Sequence, residues 1–287
     1  MNLPRSIKYS AAALLIAAAV FSMTLSMGGK EPPGNSYEGE KGGIPVLTYH
    51  YFTDRGVAER GLRAVGTVLL NLPLLTTRDA WAISRSSFEK HLKYLKDNGY
   101  RTITMSELES YLREDKELDE KCVAITFDDG DRSVYRHAYP LLRKYGMCGT
   151  LFLITSKVGT EWNELDISDW DQLREMEDSG VIEIHSHTHD LHYKVIRGDS
   201  PHPLFELSRS DAEKEEIKNI ADDLRRSRVA LRYHLGKESR YLAWPYGFSS
   251  PLGDSLATTS GFDLVFTLKR GTNYPGESVL RVKRFTI

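Results

Sequence analysis

Asp128 and Asp129 stand side by side where the apolar run 122–127 breaks into a turn at Gly130, and His185, His187, His189 and His192 follow in one short segment. Two adjacent carboxylates at the mouth of a buried strand carry a desolvation cost that a cation, a proton or a ring of donors must offset. Together with the histidines, the pair suggests one carboxylate that binds metal and one free to take a proton. A divalent metal on three protein ligands keeps open positions, where it can lower the pKa of water and polarise an amide carbonyl. Asp129, His187 and His192 would make such a triad, with Asp128 as general base. On a strand, His185, His187 and His189 share a face at period two, so spacing alone does not choose the pair. His185 and His189 are read as packed or supporting histidines, and Gly130 as the residue that permits the turn.

Two further segments carry polar groups suited to the same chemistry. His50 ends the run Val46, Leu47, Thr48, Tyr49 and is a candidate general acid able to protonate a leaving amine. Arg240, Trp244, Pro245, Tyr246 and Gly247 form a basic and aromatic segment at a strand end. Arg240 could orient Asp128 through its planar fork, and the Tyr246 backbone N–H could help hold an oxyanion. Trp244 either stacks on a sugar face or packs in the core.

The elements that must position these residues alternate between short apolar runs and amphipathic helical patterns. Strands are predicted over 44–49, 121–127, 150–154, 181–184, 241–244, 264–267 and 279–287. Helices are predicted from a capping box at Ser86 and Glu89, with Phe88, Leu92 and Leu95 on one face, and over 134–145, 168–176 (capped by Ser168) and 210–233. About seven strands with intervening helices indicate an α/β fold, a distorted barrel in preference to an open sheet. In such folds the chemistry gathers at the carboxyl ends of the strands, where His50, the Asp pair and the histidine cluster all fall.

The 287 residues, 40% hydrophobic and 27% charged, suit one catalytic domain. A formal net charge of -2 gives no electrostatic case for nucleic acid. Arg5 and Lys8 precede an almost wholly apolar run over 11–27, so residues 1–29 read as a signal peptide or membrane anchor and 30–43 as a linker. The expectation is an exported protein, extracellular or at the cell surface, monomeric, with its catalytic domain over 44–287. Cys122 and Cys148 have no Cys-x-x-Cys spacing and are expected to be free thiols. An insertion over about 51–85 carries Leu62, Val65, Val68, Leu69, Leu70, Leu72, Leu74 and Leu75. It is either a helix packed on the barrel or an exposed apolar loop that meets a membrane surface through 62–75 or grips a partner.

At these residues the sequence resembles the polysaccharide deacetylase family, the NodB-homology or carbohydrate esterase family 4 group. The matching motifs are Thr126 to Gly130, then Ser186, His187 and Thr188 leading to His192, then Arg240 through Gly247. The resemblance implies a metal-dependent deacetylase of N-acetylated sugars, with Asp128 as base and Asp129, His187 and His192 as ligands. His187 and His192 are five positions apart rather than the four common in the family. That spacing resembles the branch acting on poly-β-1,6-N-acetylglucosamine, in which the barrel is circularly permuted and the acid histidine lies near the start of the catalytic domain. His50 fits that place, and the closing run Leu280, Arg281, Val282, Lys283, Arg284, Phe285 lacks the late Leu-x-His motif of most members.

The reaction this implies releases acetate and leaves a partly cationic N-acetylglucosamine polysaccharide suited to adhesion and biofilm. Oxygen and imidazole ligands accept zinc, cobalt, nickel or iron, with zinc the default. Deacetylation of peptidoglycan or chitin-like β-1,4 glycans is the alternative chemistry, and a non-catalytic glycan-binding adhesion module the alternative class.

Overall fold

A computed structural model describes residues 43–53, 81–118, 121–197, 200–206 and 213–287. These belong to one of the chain's two units, Lys41–Asp54 with Trp81–Ile287. The other unit, 1–40 with 55–80, lies outside the described residues, as do the expected signal or anchor and most of the insertion. No helix among the described residues is long and apolar enough to cross a membrane.

The buried run CVAITF forms a strand covered on both faces, as parallel sheets require. Around it the described residues contribute seven parallel strands: β1 (Val46–Tyr49), β2 (Cys122–Phe127), β3 (Gly149–Leu153), β4 (Ile182–Ser186), β5 (Tyr241–Ala243), β6 (Leu264–Phe266) and β7 (Phe285–Thr286). Their spatial order is β6-β5-β4-β3-β2-β1-β7, with a short strand Arg101–Thr102 beside the start of β2. The final run touches both edges: Val282 bridges to Phe266 in parallel, and β7 pairs with β1. The sheet thus curls into a distorted (β/α)7 barrel, with the first strand seated between β2 and the last.

Six α-helices accompany the strands among the described residues: α1 (Arg85–Asp97), α2 (Met105–Leu112), α3 (Tyr139–Tyr145), α4 (Trp170–Asp178), α5 (Lys214–Leu235) and α6 (Pro251–Thr259). In α1, Phe88, Leu92 and Leu95 are the buried face, as their spacing predicts. The helix caps differ from those expected. Ser84, not Ser86, caps α1 by accepting from the Ser87 N–H, while Glu89 pairs with Lys144. Asp169, not Ser168, caps α4 in a capping box with Gln172. The helix predicted over 134–145 begins as a π turn, Val134–Ala138, before α3. The strand predicted over 279–287 contracts to β7, because this run crosses between two sheet edges instead of lying along one. Cys122 and Cys148 are free thiols.

Strand Tyr51–Thr53 pairs in parallel with Ala82–Ser84, so the two ends of the expected insertion are joined at the barrel. The short hairpin Glu161–Trp162 with Leu165–Asp166 follows β3.

Candidate active site

The carboxyl ends of β1, β2 and β4 bring His50, Asp128, Asp129 and His187 to one edge of the barrel. Asp129 has φ 73, a left-handed conformation that Asp tolerates better than most residues, and it turns the second carboxylate back over the strand ends. Gly130 follows at φ 103, and a Cβ there would meet Leu153 Cδ1 at 2.5 Å, so this turn requires glycine.

Asp129 Oδ1 lies 3.4 Å from His187 Nε2 and 3.4 Å from His192 Nε2. Among the described residues these three form the group able to hold a metal ion, their ligand atoms all within 4.8 Å of one another. Two ligands each about 2.1 Å from one tetrahedral cation lie about 3.4 Å apart, which fits both pairs. His187 Nδ1 faces the Ala243 carbonyl oxygen at 2.7 Å, and a carbonyl only accepts. The ring proton therefore sits on Nδ1, and the Nε2 lone pair points at Asp129. Asp129 Oδ1 is buried and has no hydrogen-bond partner, whereas Oδ2 accepts from the Tyr51 hydroxyl. A lone pair facing an orphaned carboxylate oxygen is the donor set a cation completes.

The electrostatics agree. Burial alone would push the Asp129 carboxyl up, but in the acid range where it titrates the protonated rings of His187, His192 and His50 outweigh burial and hold its pKa far below the carboxylate range. Burial lowers His192 to about 4 despite the attraction of Asp129, so its imidazole is neutral at pH 7 and available as a ligand.

Asp128 is 2% exposed, and both its oxygens are taken by one side chain. Arg284 Nη1 donates to Oδ1 at 2.8 Å and Nη2 to Oδ2 at 2.9 Å. Arg284 is itself fully buried, its Nε donating to the Thr267 carbonyl at 2.8 Å and its guanidinium lying 5.7 Å from the Phe152 ring. Burial raises the Asp128 pKa, yet Arg284, then His187 and His50, more than reverse this and keep the carboxylate ionised. His50 is 9% exposed with Nδ1 unpartnered, its ring 4.7 Å from Trp81. Burial lowers its pKa against the pull of Asp128 and Asp129.

Two expected roles fall elsewhere. Arg240 does not reach Asp128; it pairs with Asp263 at 2.7 Å and Glu109 at 3.1 Å. The reason is direction: Arg240 precedes β5, so it sits at the amino end of the barrel, opposite the chemistry. Trp244 is fully buried and stacks on Phe205, ring centroids 4.3 Å apart, so it packs in the core and offers no face to a sugar. Tyr246 stays at the site, at φ 61 in the turn Pro245–Gly247 with its ring 4.5 Å from His192. Trp162 meets the same histidine edge-on at 5.1 Å. His185 is buried near Ser239 and Tyr241, and His189 contacts Thr155, so neither joins the metal group.

Sequence reasoning missed Arg284 and Tyr51. In the closing run Val282 and Arg284 share a face at period two, and an arginine on an apolar face was the available signal.

A sequence model of the family described as polysaccharide deacetylase matches residues 115–265. The poly-β-1,6-N-acetyl-D-glucosamine N-deacetylase of Staphylococcus aureus is 30% identical over 208 residues, 72% of this chain and 68% of that protein. Among solved structures, IcaB from Ammonifex degensii is 35% identical with TM-score 0.71, covering 85% of this chain and 91% of its own. A de-N-acetylase from Aggregatibacter actinomycetemcomitans is 27% identical with TM-score 0.70, covering 85% and 94%. The matched stretch holds Asp128 and Asp129 after β2 and His187 and His192 after β4, at one edge of the same barrel, and on fold, site and sequence together this chain belongs to the polysaccharide deacetylase family of enzymes.

Proposed function

We propose that this enzyme removes acetyl groups from poly-β-1,6-N-acetylglucosamine, releasing acetate and leaving free amines on the glycan. The observation that carries this reading is His50, which ends the first barrel strand and stands at the same edge as the Asp128 pair and the histidines. The similarity to proteins named as deacetylases of that polymer supports the linkage.

Asp129, His187 and His192 would hold the metal, zinc by default and cobalt, nickel or iron by availability. Bound there, a divalent cation supplies Lewis acidity, which acidifies water and polarises the acetyl carbonyl. Asp128 takes the proton of the attacking water, and Arg284 keeps that carboxylate ionised and fixed in direction. The Tyr246 backbone N–H assists at the developing oxyanion. His50 gives a proton to the departing glucosamine nitrogen. Trp81, Trp162 and Tyr246, ranged about His50 and His192, suit the apolar faces of sugar rings and take over the role first expected of Trp244.

Residues 1–29 support export with cleavage or anchoring, and the apolar stretch 62–75 supports contact with a membrane surface where the polymer emerges. A partly cationic glycan outside the cell adheres to anionic surfaces, which gives the activity its use in biofilm. The test is acetate release from defined β-1,6 and β-1,4 oligomers of N-acetylglucosamine. Turnover confined to the β-1,6 series supports the reading; turnover confined to β-1,4 oligomers moves the enzyme to cell-wall or chitin modification.

A further inference from the structure

The four residues that link His187 to His192 lie in no helix or strand, yet each of their backbone N–H groups has a side-chain acceptor. Thr188 N donates to Ser186 Oγ at 3.0 Å and Leu191 N to Thr188 Oγ1 at 3.2 Å. The other two go to a single residue on α5: His189 N donates to Asp223 Oδ1 and Asp190 N to Asp223 Oδ2, each at 2.7 Å. Asp223 is only 8% exposed on an otherwise strongly charged helix. One turn along, Ser227 accepts from Ser186 Oγ at 2.8 Å and donates to the Leu224 carbonyl. Opposite, Thr155 N and Ser156 N donate to the carbonyls of Thr188 and His189. Within this clamp Thr188 is held at φ 73, a conformation β-branched residues avoid.

We propose that Asp223 is a positioning residue for the metal site. Its carboxylate replaces the regular hydrogen bonding the link lacks and fixes how far His192 reaches back toward Asp129 and His187. Two charge-assisted bonds to consecutive amides constrain both position and direction, which a single neutral acceptor does not. Ser227 fixes the start of the same link through Ser186. The proposal rests on Asp129, His187 and His192 being the metal ligands. Groups that orient metal ligands from outside typically change metal affinity about 10–100-fold when removed.

The test is titration of the full metal-free chain with Co(II), following ligand-field absorption, for wild type, Asp223→Ala, Asp223→Asn and Ser227→Ala, with thermal unfolding of each metal-free protein. Asp223→Ala is expected to bind Co(II) at least about tenfold more weakly with an altered spectrum. Asp223→Asn, which keeps one acceptor oxygen, falls between it and wild type, and Ser227→Ala shows a smaller loss. A folded Asp223→Ala that binds within twofold of wild type with the same spectrum overturns the proposal, as does a lowered melting temperature with unchanged binding. If Asp223→Ala does not fold, Asp223→Asn decides by the same criteria. A folded wild type that binds no Co(II) overturns the metal reading itself, and the proposal with it.

Discussion

Arg284 and Asp128 are 156 positions apart and meet as a buried two-pronged ion pair, each carboxylate oxygen accepting from a different guanidinium nitrogen. The residue leading into the last strand thereby holds the carboxylate that follows the second. Breaking such a pair leaves one charge buried without a partner, which costs about 3–5 kcal/mol. Arg284→Met should lose stability of that order in denaturant unfolding and lose nearly all activity. Arg284→Lys keeps the charge without the fork and should lower kcat with KM little changed. Arg240→Ala, altering a pair at the opposite end of the barrel, should retain most of the wild-type kcat.

In the proposed mechanism His50 and Asp128 divide the proton transfers. His50→Ala should lower kcat by about 10²–10⁴-fold with folding and metal content preserved, as loss of a general acid does. An undiminished kcat would remove His50 from the mechanism.

The two tryptophans should separate binding from folding. Trp244→Ala empties a packed core position and should cost about 3–5 kcal/mol in unfolding experiments. Trp162→Ala should leave stability nearly unchanged while raising KM for longer oligomers; an unchanged KM would take Trp162 out of the glycan path.

His185 predicts a pH dependence of stability. Burial holds its folded pKa well below the ordinary 6.5, with Lys237 and Arg240 adding to the effect. The unfolded chain therefore takes up a proton as pH falls through about 6.5 that the folded chain refuses, so this contribution is present above that pH and lost below it. Asp223 works the other way, since burial raises its carboxyl to about 6 and its ionisation as pH rises opposes folding. Comparing wild type with His185→Gln by denaturant unfolding from pH 7.5 to 5 isolates the first contribution. The wild type should lose more stability on acidification, and parallel curves would contradict the assignment.

Much of the fold and of the site is legible in the amino-acid sequence. The apolar runs mark the barrel strands because residues buried on both faces leave a continuous signal, and the Asp pair with the histidine cluster marks one face of it. Direction and distance are what the sequence hides. Arg240 and Trp244 neighbour the right turn in the chain, yet one lies at the wrong end of its strand and the other points into the core. Arg284 and Tyr51 sit far from Asp128 and Asp129 in the chain and meet them only through the order in which the strands pair. Asp223 reads as one more charge on a solvated helix, because no local pattern reveals which turn of a charged helix faces a loop.

Acetate release from a β-1,6-linked N-acetylglucosamine pentamer, by metal-free chain titrated with Zn(II) and with Asp128→Asn in parallel, tests the metal and base assignments most directly. Acetate production should rise with added metal and saturate near one equivalent, while Asp128→Asn binds the same metal and releases almost none. Release by the metal-free protein at the saturated rate would contradict the metal assignment, and undiminished release by Asp128→Asn would contradict the base assignment.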